Sequence, residues 1–229
     1  MKKVLSFCLW GNNPTYNIGA IKNAELAKIY YPDFECWFYI HSDSVPQTTI
    51  ESLKQLDNTK IILKNGDINL YKPMCWRFEA IDDPEVEVIM SRDTDTRILM
   101  REKLAVDEWL NSGKLFHIMR DHPHHYNKLF PINAGMFGTK KIPNISSWTD
   151  ILNNINNSGR YTDQDFLREY IYPYINNNCL VHTSFQIYPN ENSKKFPIPY
   201  DNTYKFVGEY VYADESRSLY HIEELKKQL

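Results

Sequence analysis

The 229-residue sequence holds no apolar stretch approaching the roughly 20 residues that a membrane-spanning helix needs. Nor does it carry a basic excess. Its 26 Lys and Arg against 29 Asp and Glu leave a net charge of −3, which argues against a general nucleic-acid binder. Cysteine is scarce and scattered (Cys8, Cys36, Cys75, Cys179), with no Cys-x-x-Cys pair to hold a metal or form a redox couple. Met1–Trp10 opens with two lysines, but its apolar run is short and Gly11-Asn12-Asn13-Pro14 interrupts it. No small-residue cleavage site follows, so the segment reads as a strand rather than a leader. The expectation is a cytoplasmic protein with four reduced thiols, in which the glycosylation-like triplets at Asn144 and Asn156 carry no meaning. Internal repeats, coiled-coil runs, low-complexity tracts and an obvious linker are missing too. One domain over residues 1–229 is therefore expected.

What is present is an ordinary globular composition, 42% hydrophobic and 24% charged, which excludes disorder. Apolar or aromatic runs bounded by turn residues predict strands at Val4–Trp10, Phe34–Ile40, Lys60–Lys64, Val86–Met90 and Leu115–Met119. Between them, helical spacing and Pro or Gly stops predict helices at Ala20–Tyr31, Pro46–Leu56, Pro73–Ile81 and Glu102–Leu110. Alternating strands and helices imply an α/β fold with a mainly parallel sheet. The second half is less regular. It offers a His-rich loop at Asp121–Pro131, a strand at Ile132–Phe137, helices at Ser147–Ile155 and Asp163–Ile171, and a strand at Cys179–Phe185. A Pro-rich loop at Pro189–Tyr204 and a terminal helix at Glu215–Leu229 complete it.

The sharpest local feature is Val88-Ile89-Met90-Ser91-Arg92-Asp93-Thr94-Asp95-Thr96-Arg97. An apolar strand runs directly into two aspartates spaced i and i+2, which extended backbone points the same way. Strand ends are where open α/β sheets bind ligands. Paired carboxylates repel unless a cation lies between them, and oxygen donors of this kind suit Mg²⁺ or Mn²⁺ held together with a ligand's phosphates. A solvated acidic turn is the competing explanation for any isolated Asp-x-Asp. Arg92 and Arg97 flank the pair, and Lys72 and Arg77 precede it; such cations can bind a diphosphate or pair with the aspartates. The loop Asp121-His122-Pro123-His124-His125 invites a zinc reading, but no second cluster of ligands accompanies it. His41 and His117 read as residues outside the chemistry, and Trp37, Trp76, Trp109 and Trp148 as packing residues.

Strand–Asp93-x-Asp95, preceded by a segment carrying Arg77, resembles the nucleotide-sugar site of GT-A glycosyltransferases. Three later features follow in the same order. Ile132-Asn133-Ala134-Gly135-Met136-Phe137 resembles the Asn-Ala/Ser-Gly strand of the glycogenin-like and lipopolysaccharide-galactosyltransferase-like enzymes of glycosyltransferase family 8. Thr162-Asp163-Gln164-Asp165 is similar to their Asp-Gln-Asp helix start, and His182 stands where they supply a histidine to the metal. The chain also resembles the small glycosyltransferases of large DNA viruses and of bacterial polysaccharide clusters. The likeness spans roughly residues 3–185.

The resemblance implies a GT-A fold, with residues 1–120 binding the nucleotide sugar and 121–229 the acceptor. It implies a metal-dependent transferase acting on a UDP-sugar and a glycan or glycoprotein acceptor. Asp95 and His182 would bind Mn²⁺ or Mg²⁺, with His221 as the alternative histidine, and Asp93 would bind the metal or the ribose. Trp10, Gly11, Asn12 and Tyr16 would hold the base and Asp43 face the nucleoside, with Lys72 and Arg77 on the donor. Asn133, Ala134, Gly135, Asp163, Gln164 and Asp165 would line the sugar and acceptor pocket, with Asp163, Gln164 and Asp95 at the chemistry. One family element fails: the His-x-x-Gly-x-x-Lys continuation, whose Lys serves the diphosphate, is replaced by Thr183-Ser184-Phe185, leaving Lys195 or Lys205 as substitutes.

The chemistry suits these residue types. Breaking the bond to a diphosphate gathers negative charge on the leaving group and makes the sugar oxocarbenium-like. Cations stabilise that charge. Family-8-like motifs point to retention of anomeric configuration, whereas Asp163 or Asp165 acting as a base would imply inversion. A haloacid-dehalogenase-like phosphatase also uses Asp-x-Asp, but wants Thr or Val two residues on, where this chain has Arg97. A nucleotidyltransferase wants a Gly-rich basic loop after the first strand, which Gly11-Asn12-Asn13-Pro14-Thr15 is not. A non-catalytic carbohydrate-binding protein is the remaining alternative, and metal-dependent turnover separates it from the enzymes.

Overall fold

A computed structural model describes residues 1–68, 72–141, 147–155, 159–175 and 178–229. The triplets at Asn144 and Asn156 lie outside the described residues. Eight strands form one sheet in the order β3-β2-β1-β4-β6-β5-β7-β8. They are β1 (Lys2–Leu9), β2 (Phe34–His41), β3 (Thr59–Lys64), β4 (Val86–Arg92), β5 (Phe116–Arg120), β6 (Met136–Lys140), β7 (Cys179–Thr183) and β8 (Ser193–Lys194). All neighbours are parallel except β6, which runs antiparallel to both β4 and β5.

Strand β1 is near-continuously apolar because both its faces are covered. Val4 enters one core with Trp37, Phe78 and Phe137, while Leu5, Phe7 and Leu9 enter the other with Phe38, Ile40 and Ala24. Strands β2 and β4 flank β1 on opposite sides. The chain therefore reverses its strand order there, and the crevice beyond the carboxyl ends of β1 and β4 is the expected binding place of such a sheet.

Helix α1 (Pro14–Tyr30) starts earlier than its apolar spacing suggested. Asn13 caps it by accepting from the Thr15 N–H at 3.0 Å, and Pro14 sits where its missing N–H costs nothing. Helices α2 (Gln47–Lys54) and α3 (Met100–Asn111) fall close to their expected places. The predicted helix at Pro73–Ile81 is a 3₁₀ helix, Lys72–Asp82. Helix α4 (Trp148–Asn154) is anchored by Asp82, which accepts from the N–H groups of Trp148 and Thr149 at 3.0 and 2.7 Å. Helix α5 is one turn, Thr162–Phe166, widening into π-helical Leu167–Ile171. The terminal helix α6 is shorter than expected, Leu219–Lys226, because Ser218 caps it. Trp37, Trp109 and Trp148 are buried in the cores as expected, and all four cysteines are buried and free. No helix among the described residues is long and apolar enough to cross a membrane.

Candidate active site

A cleft of about 640 Å³ opens beyond the ends of β1 and β4. Trp10, Gly11, Asn12 and Tyr16 line it from the segment after β1, and Arg77 from the 3₁₀ helix. Asp93 and Asp95 follow β4, Asn133, Ala134 and Gly135 precede β6, and Asp163 and Gln164 open α5. Residues far apart in the chain are thus gathered into one place.

The centre of the site is Arg77. It is buried, and its guanidinium donates to Asp93 and, at 2.6 Å, to Asp163 Oδ2. It also donates to the Arg92 carbonyl at 3.2 Å. Burial penalises Asp163 and pushes its carboxyl up, against the opposing pull of Arg77. Both Asp163 oxygens are occupied, because Oδ1 accepts the Gln164 N–H at 2.8 Å.

The Asp93–Arg97 loop is held by its backbone. Asn23 of α1 donates to the carbonyls of Thr94 and Thr96 at 3.4 and 2.8 Å and accepts the Ile98 N–H at 3.2 Å. Gly19, one turn earlier, lets the helix lie against this loop, since a Cβ there would overlap the Thr94 carbonyl oxygen. From the other side Val211 N–H donates to the Asp95 carbonyl at 2.8 Å. Arg97 binds both oxygens of Glu215, so the segment around Val211 straps the loop down. Gly135 serves the same loop: any side chain there would overlap the Asp93 carboxylate.

Asp95 makes no side-chain ion pair with the described residues, and burial with the neighbouring Asp93 charge pushes its carboxyl up to about 7. A pair of hard oxygen donors of which Arg77 engages only Asp93 fits a divalent cation held by one or two carboxylates plus phosphate oxygens. Among the described residues no three His, Cys, Asp or Glu side chains converge as a protein-only metal cage.

Four expected residues are not among those lining the cleft. His182 sits within β7, fully buried, with Nδ1 bonded to His117 at 2.8 Å and Nε2 facing Glu108 at 3.2 Å. Its ring is spent on that chain, so the expectation that it completes the Asp93–Asp95 metal site is corrected. His117, read as a bystander, is its buried partner. Asp43 is exposed and accepts from Ser42. The neighbour Ser44 instead accepts the Gly11 N–H at 2.8 Å and so shapes the loop after β1. Lys72 is exposed, and Asp165 pairs with Arg168 at 2.8 Å.

The alternative histidine, His221, is also elsewhere. Its ring packs against those of His122 and His124 with centroids 5.6 Å apart in each case. Both His122 nitrogens are committed to backbone, Nδ1 to the His124 N–H and Nε2 to the His221 carbonyl. The His-rich loop docks α6. The Asn133-Ala134-Gly135 segment is a turn, closed by Met136 N–H to the Asn133 carbonyl at 2.9 Å, so the strand begins at Met136 rather than Ile132.

Sequence reasoning overlooked Arg160 and Tyr161, which line the cleft just before α5. Nothing in their local pattern marks them. Gly19 and Asn23, which hold α1 against the Asp93–Arg97 loop, were not singled out either.

No protein-family model matches the sequence, and no curated protein matches it. Among solved structures, the chain is similar to an active-site mutant of LgtC, with a TM-score of 0.50 and 12% identity, over 100% of this chain and 95% of that one. It is also similar to the galactosyltransferase LgtC in complex with donor and acceptor sugar analogs (TM-score 0.49, 13% identity, 80% and 73% of the two chains). A third is a glycosyltransferase involved in the glycosylation of the major capsid of PBCV-1 (TM-score 0.48, 15% identity, 80% and 82%). The fold is that of the GT-A glycosyltransferases, as its mixed sheet flanked by helices and the first of these similarities show.

Proposed function

We propose that this protein is a metal-dependent glycosyltransferase that moves a sugar from a UDP-sugar to a glycan or glycoprotein acceptor, with retention of anomeric configuration. The observation that carries the proposal is the Asp93–Asp95 pair, exposed to the cleft at the end of β4 on a GT-A sheet, with Asp95 held up to about 7. Asp93 and Asp95 would hold Mn²⁺ or Mg²⁺. A bound divalent ion supplies charge that stabilises the departing diphosphate.

The remaining roles follow from position. Trp10, Gly11, Asn12 and Tyr16 form the nucleoside side of the cleft. Arg77 fixes Asp93 and Asp163 in place, so the site needs little reorganisation when charge develops. Asn133, Ala134, Gly135 and Gln164 border the space for the sugar and acceptor. Retention is supported by the state of the carboxylates. Asp163 has both oxygens occupied and Asp165 is paired with Arg168, so neither offers a base to an acceptor hydroxyl.

The test is release of UDP from a panel of UDP-sugars with Mn²⁺, for the native protein and Asp95→Ala. Metal-dependent release that falls at least a hundredfold in the variant supports the reading. Equal release from both proteins overturns it.

A further inference from the structure

Resting on that reading, we infer that Arg160 is the cation that receives the diphosphate of the nucleotide donor. The lysine that a His-x-x-Gly-x-x-Lys element would supply is missing from this chain. The two sequence substitutes are engaged or elsewhere. Lys195 Nζ donates to the Ser184 carbonyl at 2.6 Å, and Lys205 lines a separate cavity of about 170 Å³ with Arg97 and Glu209.

The cleft is lined by three carboxylates, Asp93, Asp95 and Asp163, and by two guanidiniums, Arg77 and Arg160. Arg77 is buried and bound to two of the carboxylates, so it has little left to offer an incoming anion. Arg160 differs in each respect. It is exposed to the cleft and makes no hydrogen bond or ion pair with the described residues. Its charge reaches the Tyr16 hydroxyl, as do the charges of Asp95 and Asp93, which places the guanidinium in the same neighbourhood as the acidic pair.

An arginine that lines the same cleft as two carboxylates and has no partner among the described residues suits a ligand whose oxygens can be shared between it and a cation on those carboxylates. A diphosphate has that chemistry. In the transfer, the bond from the anomeric carbon to the diphosphate oxygen breaks and its electron pair stays on that oxygen, where Arg160 offers N–H donors. The acceptor hydroxyl oxygen forms the new bond, and its proton leaves to the departing phosphate.

The test is calorimetric titration of UDP, uridine and inorganic pyrophosphate, each with Mn²⁺, into native protein, Arg160→Ala and Arg160→Lys. The side chain is exposed, and thermal melting separates loss of binding from loss of fold. In native protein UDP binds much more tightly than uridine. Arg160→Ala weakens UDP and pyrophosphate about tenfold to a hundredfold and leaves uridine unchanged, while Arg160→Lys recovers part of the loss. If UDP binds native protein and Arg160→Ala alike, the assignment of Arg160 falls and the transferase reading stands. If native protein binds none of the three, both fall.

Discussion

At the residue scale the site is a problem of like charge. Asp95 titrates high because burial and Asp93 both disfavour its ionised form. A carboxyl whose folded value lies above its unfolded one binds more protons when folded, so its contribution to stability declines as pH rises from about 4 to about 7. Asp95→Asn is therefore expected to melt with the metal-free native protein near pH 4.5 and several degrees above it at pH 8. A difference that stays constant across this range contradicts the assignment. Gly135→Ala tests the neighbouring carboxylate. Its new Cβ forces the half-exposed Asp93 away from Arg77, so Mn²⁺-dependent UDP affinity drops at least about tenfold, with a smaller loss of stability than Arg77→Ala causes. Arg77→Ala differs again. It strands two carboxylates, one of them buried, and is expected to cost about 3 kcal/mol in denaturant unfolding as well as donor affinity.

At the element scale, what the sequence made legible were elements with a regular apolar period and a clear stop. Strands β1 to β5 and helices α2 and α3 fell within a few residues of expectation, because burial on both sheet faces leaves its pattern in the residues themselves, while α1 starts six residues early. The Asp-x-Asp pair was legible for the same reason, as polar residues at the end of an apolar run. Segments set by one distant contact were not legible. Strand β6 starts late because Gly135 has to sit in the turn that admits Asp93. The His-rich loop showed no partner in sequence because its partner is α6, almost a hundred residues on.

That docking has a pH consequence. Burial holds His122 and His221 below the ordinary imidazole value and His125 at about 3. Groups depressed in this way bind protons more readily when unfolded, so stability is lost as pH falls below about 6.5. His125→Gln is expected to flatten this loss between pH 6.5 and 4, measured by urea unfolding. An unchanged slope contradicts the role.

At the scale of the whole molecule, the reversal of strand order around β1 decides where function sits. It brings the ends of β1 and β4 together, and the cleft collects residues from position 8 to position 164 there. The order of the motifs along the chain carried that grouping, but their spacing could not say which later residues reach the cleft. Likeness to the Asn-Ala/Ser-Gly motif led to the expectation of Asn133, Ala134 and Gly135 at the pocket, and they line the cleft from the turn before β6. The same reasoning failed for His182, whose ring faces His117 and Glu108 within the sheet layer instead.

The central claim is that Asp93 and Asp95 form a cation-dependent nucleotide site, and titration of UDP into the protein tests it most directly. With Mn²⁺ present, UDP is expected to bind native protein, and chelation of the metal or Asp95→Ala is expected to remove at least about nine-tenths of that affinity. Binding of UDP that is indifferent to both the metal and the substitution would contradict it.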